Sequence, residues 1–107
     1  MPKSTVTVQD ESFQLESWVN EDFDHDEFVL AFQIFNGNRN HQPQSMSVRI
    51  SREFADDEIK DGVTTEELEK INHKMLETHI DDVLGGKASN QFTVRGWLVE
   101  AKQQLGL

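Results

Sequence analysis

Apolar and polar positions alternate through the first half of the chain and then change period. Thr5-Val6-Thr7-Val8 alternates strictly, which predicts a short strand over about 4–8. Phe13, Leu15 and Val19 share one parity, with Gln14 and Glu16 on the other, predicting a second strand over about 12–19. The run 28–35, FVLAFQIF, is β-branched and aromatic and is apolar on both parities, so it reads as the most buried strand. Met46, Val48 and Ile50 alternate with Ser45, Ser47, Arg49 and Ser51, predicting a fourth strand over about 45–54. Asn36-Gly37 is a turn dipeptide and Pro43 cannot donate to a ladder, so 36–45 reads as the connection between strands three and four.

The second half has helical period. Thr64 with Glu67 has capping-box spacing, and Leu68, Ile71, Met75, Leu76 and Val83 form an apolar stripe that Gly85-Gly86 ends. A helix over about 65–84 follows. Val94, Trp97, Leu98, Ala101 and Leu105 share a face of a second helix over about 90–105, although Gly96 and the β-like stretch 92–99 oppose it. The expected fold is α+β, ββββαα: a four-stranded antiparallel meander with two helices on one face, in a single domain over 1–107.

Charge changes this picture. The formal net charge is −10, and it is concentrated. Between Lys3 and Arg39 stand Asp10, Glu11, Glu16, Glu21, Asp22, Asp24, Asp26 and Glu27, with no Lys or Arg. A second block holds Glu53, Asp56, Asp57, Glu58, Asp61, Glu66, Glu67 and Glu69 against Lys60 alone. In a meander, the loop at 20–27 and the exit from strand four at 54–61 lie at one end of the sheet. Asp22, Asp24, Asp26 and Glu27 are therefore expected to meet Asp56, Asp57, Glu58 and Asp61 there, with Arg52 offsetting some repulsion. Arg39 and His41 fall at the opposite end.

An acidic end of this kind favours a basic protein partner, including one that binds nucleic acid, because clustered charge speeds encounter and selects partners. Direct binding to nucleic acid is disfavoured, since that requires Lys and Arg to displace counterions. Mimicry of nucleic acid is a special case that needs a long stripe of carboxylates. The bland alternative is a solvated acidic surface that binds nothing.

Other chemistry is sparse. Asp22-Phe23-Asp24-His25-Asp26 resembles the start of an EF-hand loop, but Glu27 stands where Gly is needed and Gln33 where a bidentate Glu is needed, leaving at most weak cation binding. Zero cysteine removes disulfides, thiolate ligands and a Cys nucleophile, and fits a reducing cytoplasm. No serine stands in a nucleophile elbow and the glycines form no phosphate loop, so the chain is read as non-catalytic, without cofactor or metal. His79 falls on the apolar side of the first helix near Asn72 and is expected at the edge of the core. His73, six residues earlier, faces elsewhere, and His25 and His41 are separated, so no three-ligand metal site assembles. No apolar run approaches the roughly 20 residues that span a bilayer, and residues 1–12 lack the apolar stretch of an export signal, so a cytoplasmic location is expected.

Trp18 stands on the polar parity of strand two, and Val29, Ala31 and Phe35 on the second parity of strand three. The face away from the helices then exposes Trp18, Val29 and Phe35. This is the surface for a structural, self-assembling alternative such as a homodimer, or for a partner, unless a neighbouring segment covers it.

Overall fold

A computed structural model describes residues 2–36 and 44–107. Four strands, β1 (Lys3–Val8), β2 (Glu11–Asp22), β3 (Glu27–Asn36) and β4 (Gln44–Ser51), form one antiparallel sheet in chain order. The expected meander is present. Its first turn is tight: Val8 faces Glu11, and Gln9 and Asp10 between them have φ of 50° and 65°. Two successive left-handed residues suit the right-handed twist of a hairpin, at a steric cost that Asn-Gly would avoid. The connection at 37–43, with Gly37, Arg39, His41 and Pro43, lies outside the described residues.

Period two sorts the sheet into two faces. Phe13, Leu15 and Val19 of β2 are buried, as are Phe28, Leu30, Phe32 and Ile34 of β3 and Val48 and Ile50 of β4. Against them pack α2 (Thr65–Thr78), α3 (Ile80–Leu84) and α4 (Gln91–Gln104), through Leu68, Ile71, Met75, Leu76, Ile80, Val83, Val94, Leu98 and Ala101. Each of these Val, Leu, Ile, Phe and Met side chains contributes about 1.5–3 kcal/mol by leaving water. The Thr64–Glu67 capping box is formed: Glu67 N–H donates to Thr64 Oγ1 at 3.1 Å and Thr64 N–H to Glu67 Oε1 at 3.0 Å.

Two boundaries differ from expectation. The fourth strand stops at Ser51, not near 54. Ser51 Oγ accepts from Phe54 N at 3.0 Å and caps a short helical turn, α1 (Arg52–Phe54), which continues as a wider π turn (Ala55–Ile59). Ala55 and Ile59 are buried by that turn, which no strand could achieve while leaving 56–58 outside. The helix expected over 65–84 breaks at His79 (φ −110°, ψ 29°), where α2 ends and α3 begins.

His79, at that break, is half-buried at the edge of the core as expected and stacks on Trp97, with ring centroids 4.4 Å apart. The buried imidazole is His73, 8% exposed, on the flank of α2 that meets the sheet. Its Nδ1 lies 2.8 Å from Ser17 Oγ and its Nε2 2.8 Å from Ser4 Oγ. Ser17 is wholly buried on the same parity as Phe13, Leu15 and Val19. A neutral ring offers one donor and one acceptor, so one hydroxyl accepts and the other donates. Asn72 Nδ2 donates to the Ala31 carbonyl at 3.3 Å, a second polar tie between α2 and the sheet.

Burial holds the His73 pKa below its ordinary value, against an opposing pull from Glu77. The folded state therefore prefers neutral His73, while the unfolded chain takes up a proton near pH 6.5. This contribution to stability is complete above pH 6.5 and falls, by at most about 1.4 kcal/mol per pH unit, as the solution is acidified below it. Urea midpoints measured from pH 8 to pH 5 should show the decline, and His73→Gln should lose that slope. Replacing Gln9-Asp10 by Asn-Gly should raise stability by about 1 kcal/mol in the same assay, since it removes the left-handed strain.

Candidate functional site

The acidic end is built on a clamp of two arginines. β4 runs beside β3 with Ser51 opposite Glu27, so Arg52 arrives at the β2–β3 turn, where its N–H donates to the Asp26 carbonyl at 2.9 Å. Its side chain covers the Phe28 ring, with the guanidinium carbon 4.7 Å from the centroid. From there it pairs with Glu21 and, at 3.1 Å through Nε, with Asp26. On the outer face Arg49 Nη1 reaches Asp22 at 2.9 Å and Glu27 at 3.2 Å. Arg52 thus offsets repulsion as its position in the sequence implied, and Arg49 does the same from two ladder positions before the terminal Glu27–Ser51 pair.

The turn is also shaped from within. Asp22 accepts the His25 N–H at 3.3 Å, and the His25 ring nitrogen Nδ1 lies 2.9 Å from its other oxygen. Asp26 takes a left-handed conformation, φ 54°, which its short polar side chain tolerates better than most. Arg49, with help from His25, holds the Asp22 carboxyl at about 2, well below the usual carboxylate range. Lys60 first, and the Thr64 N–H second, hold Glu67 at about 2.

Of the residues expected at this end, Asp22, Asp26 and Glu27 are brought together and are neutralised in part by the two arginines. Asp24 is exposed and has no ion pair among the described residues. Asp56 turns back to accept the Gly62 N–H at 3.2 Å and shapes its own loop. Asp57, Glu58 and Asp61 are exposed, without ion pairs among the described residues. α1 starts against Asp26 through the Arg52 N–H, and Asp56 follows four residues later in the chain. Asp22 and Asp26, the outer carboxylates of the D-x-D-x-D run, are turned toward Arg49 and Arg52, an arrangement that satisfies them with cationic side chains.

Phe23 is the residue the sequence reading passed over. It sits at the tip of the turn between Asp22 and Asp24 and is 81% exposed. The available signal was its position: it falls in a four-residue turn, where no parity can carry it into the core.

The second surface is the outer face of the sheet. Trp18 lies opposite Ala31, Phe35 opposite Gln14, and Val29 opposite Asn20 and Arg49. All three are half-buried, whereas Ala31, between Trp18 and Ser47 in the ladder, is only 6% exposed. The His79 cluster is a third feature: Glu100 Oε2 lies 3.2 Å from Nε2 and Asp82 3.8 Å from Nδ1, tying the helix break to α4.

No family model matches this chain, and neither a curated protein nor a solved structure matches it. No helix among the described residues is long and apolar enough to cross a membrane.

The clamp has a direct spectroscopic consequence. Asp22 ionises in the folded state near pH 2 but near 3.8 without its partners. Its contribution to stability is therefore present above pH 4 and lost as the pH falls toward 2. In Arg49→Gln, a carboxyl-resolved NMR titration should return the Asp22 pKa most of the way to 3.8, with Glu67 unmoved.

Proposed function

We propose that this chain is a small, non-catalytic binding protein of the accessory, inhibitor or immunity type. It docks a basic protein, including one whose own ligand is nucleic acid, through its acidic end. The observation that carries this reading is Phe23, an aromatic ring held out in water among carboxylates. Leaving it there forgoes roughly 2 kcal/mol of burial, a cost that contact with a partner recovers. Asp24, Asp57, Glu58 and Asp61 supply the long-range attraction, and Arg49 and Arg52 hold the turn that presents the ring. Charge sets the encounter rate and Phe23 the residence time.

Docking of this kind needs no cofactor and no direct contact with nucleic acid, and the cysteine-free chain suits a reducing cytoplasm. Mimicry of nucleic acid has less support, because the carboxylates form a compact group broken by two arginines rather than a stripe. Cation binding has less support for the same reason, since the best-placed carboxylates already face guanidinium groups. Self-assembly through Trp18, Val29 and Phe35 has only those three large apolar side chains, on a sheet face that also carries Lys3, Glu16, Asp22, Glu27 and Arg49.

Affinity capture from the native extract should recover a basic protein at low salt. The variant Asp24→Asn, Asp57→Asn, Glu58→Gln, Asp61→Asn should bind that protein with an association rate lower by roughly tenfold and a flatter salt dependence. Phe23→Ser should leave the association rate nearly unchanged and speed dissociation by roughly tenfold or more. Equal kinetics in all three proteins discards the acidic end as the site.

A further inference from the structure

We infer that Arg95, held against Phe54 and Phe92, binds the side-chain carboxylate of a partner polypeptide, at a site separate from Phe23 and independent of the role of the acidic end. Arg95 is an exception in this acidic chain. Arg49 and Arg52 each pair with two carboxylates, whereas Arg95 pairs with none among the described residues. Its neighbours three and four places away on α4 are Gln91, Phe92, Leu98 and Val99, so the helix surface around it supplies no carboxylate. Among the described residues its Nε is also the one buried side-chain nitrogen or oxygen without a hydrogen-bond partner. A charged group so poorly matched is costly, and an incoming anion offsets that cost.

Aromatic rings hold the guanidinium instead. Its carbon lies 5.2 Å from the centroid of Phe54 and 5.7 Å from that of Phe92. Phe54 is fixed by the Ser51 cap of α1, and Phe92 stands in the first turn of α4, where its N–H donates to Asn90 Oδ1 at 3.0 Å. Rings stacked on a guanidinium shield its faces and leave its N–H edge as the route of approach. Arg95 is half-buried and its unmatched burial is confined to Nε, so the two Nη groups reach water. Parallel N–H donors in one plane match the two oxygens of a carboxylate. Phe92, 80% exposed, offers an apolar contact beside them.

The surroundings select the ligand. The chain carries a net charge of −10, and exposed Asp57 and Glu58 follow Phe54 by three and four residues, so phosphate or a strongly acidic peptide is repelled. A second copy would bring a further −10. Capture of a chain terminus uses free backbone N–H groups, and those of Phe92 and Thr93 are already taken by Asn90 Oδ1. The ligand that fits is one Asp or Glu side chain flanked by apolar residues, which pairs with the guanidinium and covers Phe92.

Isotope-labelled protein titrated to millimolar concentration with acetyl-Gly-Leu-Glu-Phe-Gly-amide should show NMR shifts at the Arg95 Nε–H and at the amides of Phe54, Phe92 and Arg95. The same peptide with Gln for Glu should bind the unaltered protein more weakly by roughly tenfold or more. Arg95→Gln should reduce the Glu peptide to the affinity of the Gln peptide, and Arg95→Lys, which keeps the charge and loses the fork, should restore little of it. Phe92→Ala should weaken the Glu peptide severalfold. No Arg95 shift with the Glu peptide, or an equal response to the Gln peptide, overturns the proposal. A response confined to inorganic phosphate or to acetyl-Gly-Phe-Leu with a free terminal carboxylate, or a dimer that Arg95→Gln dissolves, overturns it too.

Discussion

The laying of α2 across β2 is the constraint from which the other features follow. A four-stranded sheet with period-two side chains has one face to bury, and the Leu68, Ile71, Met75 and Leu76 stripe covers it. Once that is done, the alternate positions on the strands form the outer face of the sheet. The contact also includes a polar tie where apolar packing alone is expected. His73 spans Ser4 and Ser17, and Asn72 reaches the Ala31 carbonyl, so the helix is set in register and not merely pressed on. Buried polar groups of this kind are costly if left unmatched, which makes a shifted helix less stable than the native one.

Electrostatics then divides the surface. Arg49 and Arg52 stand at the end of β4 because antiparallel pairing returns the chain to the β2–β3 turn, and they meet the carboxylates there. Asp24 and Phe23 in the turn, and Asp57, Glu58 and Asp61 in and after the π turn, are exposed and not matched by either arginine. On the outer sheet face the charges are paired, Lys3 with Glu16 and Arg49 with Asp22 and Glu27, among hydroxyls, amides and the half-buried Trp18, Val29 and Phe35.

The parts of the site that were legible in the sequence are those set by local spacing. Asp22 to Glu27 had to occupy a turn, since alternation stops there and resumes at Phe28. Arg52 was placed at the acidic end by counting strand reversals. Arg49 was not identified as its companion, because a residue on the outer parity of β4 gives no sign of which carboxylates stand across the ladder. His79 was readable at the core edge, where it stacks on Trp97; His73 was passed over because a helical wheel does not show that Ser4 and Ser17 stand across from it. Ser17 was readable as a polar residue on the buried parity, but its partner, 56 residues away, was not.

Hydrophobic period, turn chemistry and capping spacing were enough to determine the ββββαα order, the antiparallel meander, the Thr64 helix start and the two faces of the sheet. These depend on interactions among residues close in the chain, which composition and spacing express directly. The tertiary structure alone decided that β4 gives way to a helical turn at Arg52, that α2 ends before His79, and that His73 is the buried imidazole. It also decided which of the described acids are matched by arginine and which are not. Each of those outcomes is a contest between contacts distant in sequence. Burial of Ala55 and Ile59, stacking on Trp97 and pairing across the ladder settle it by free energies that no local pattern records.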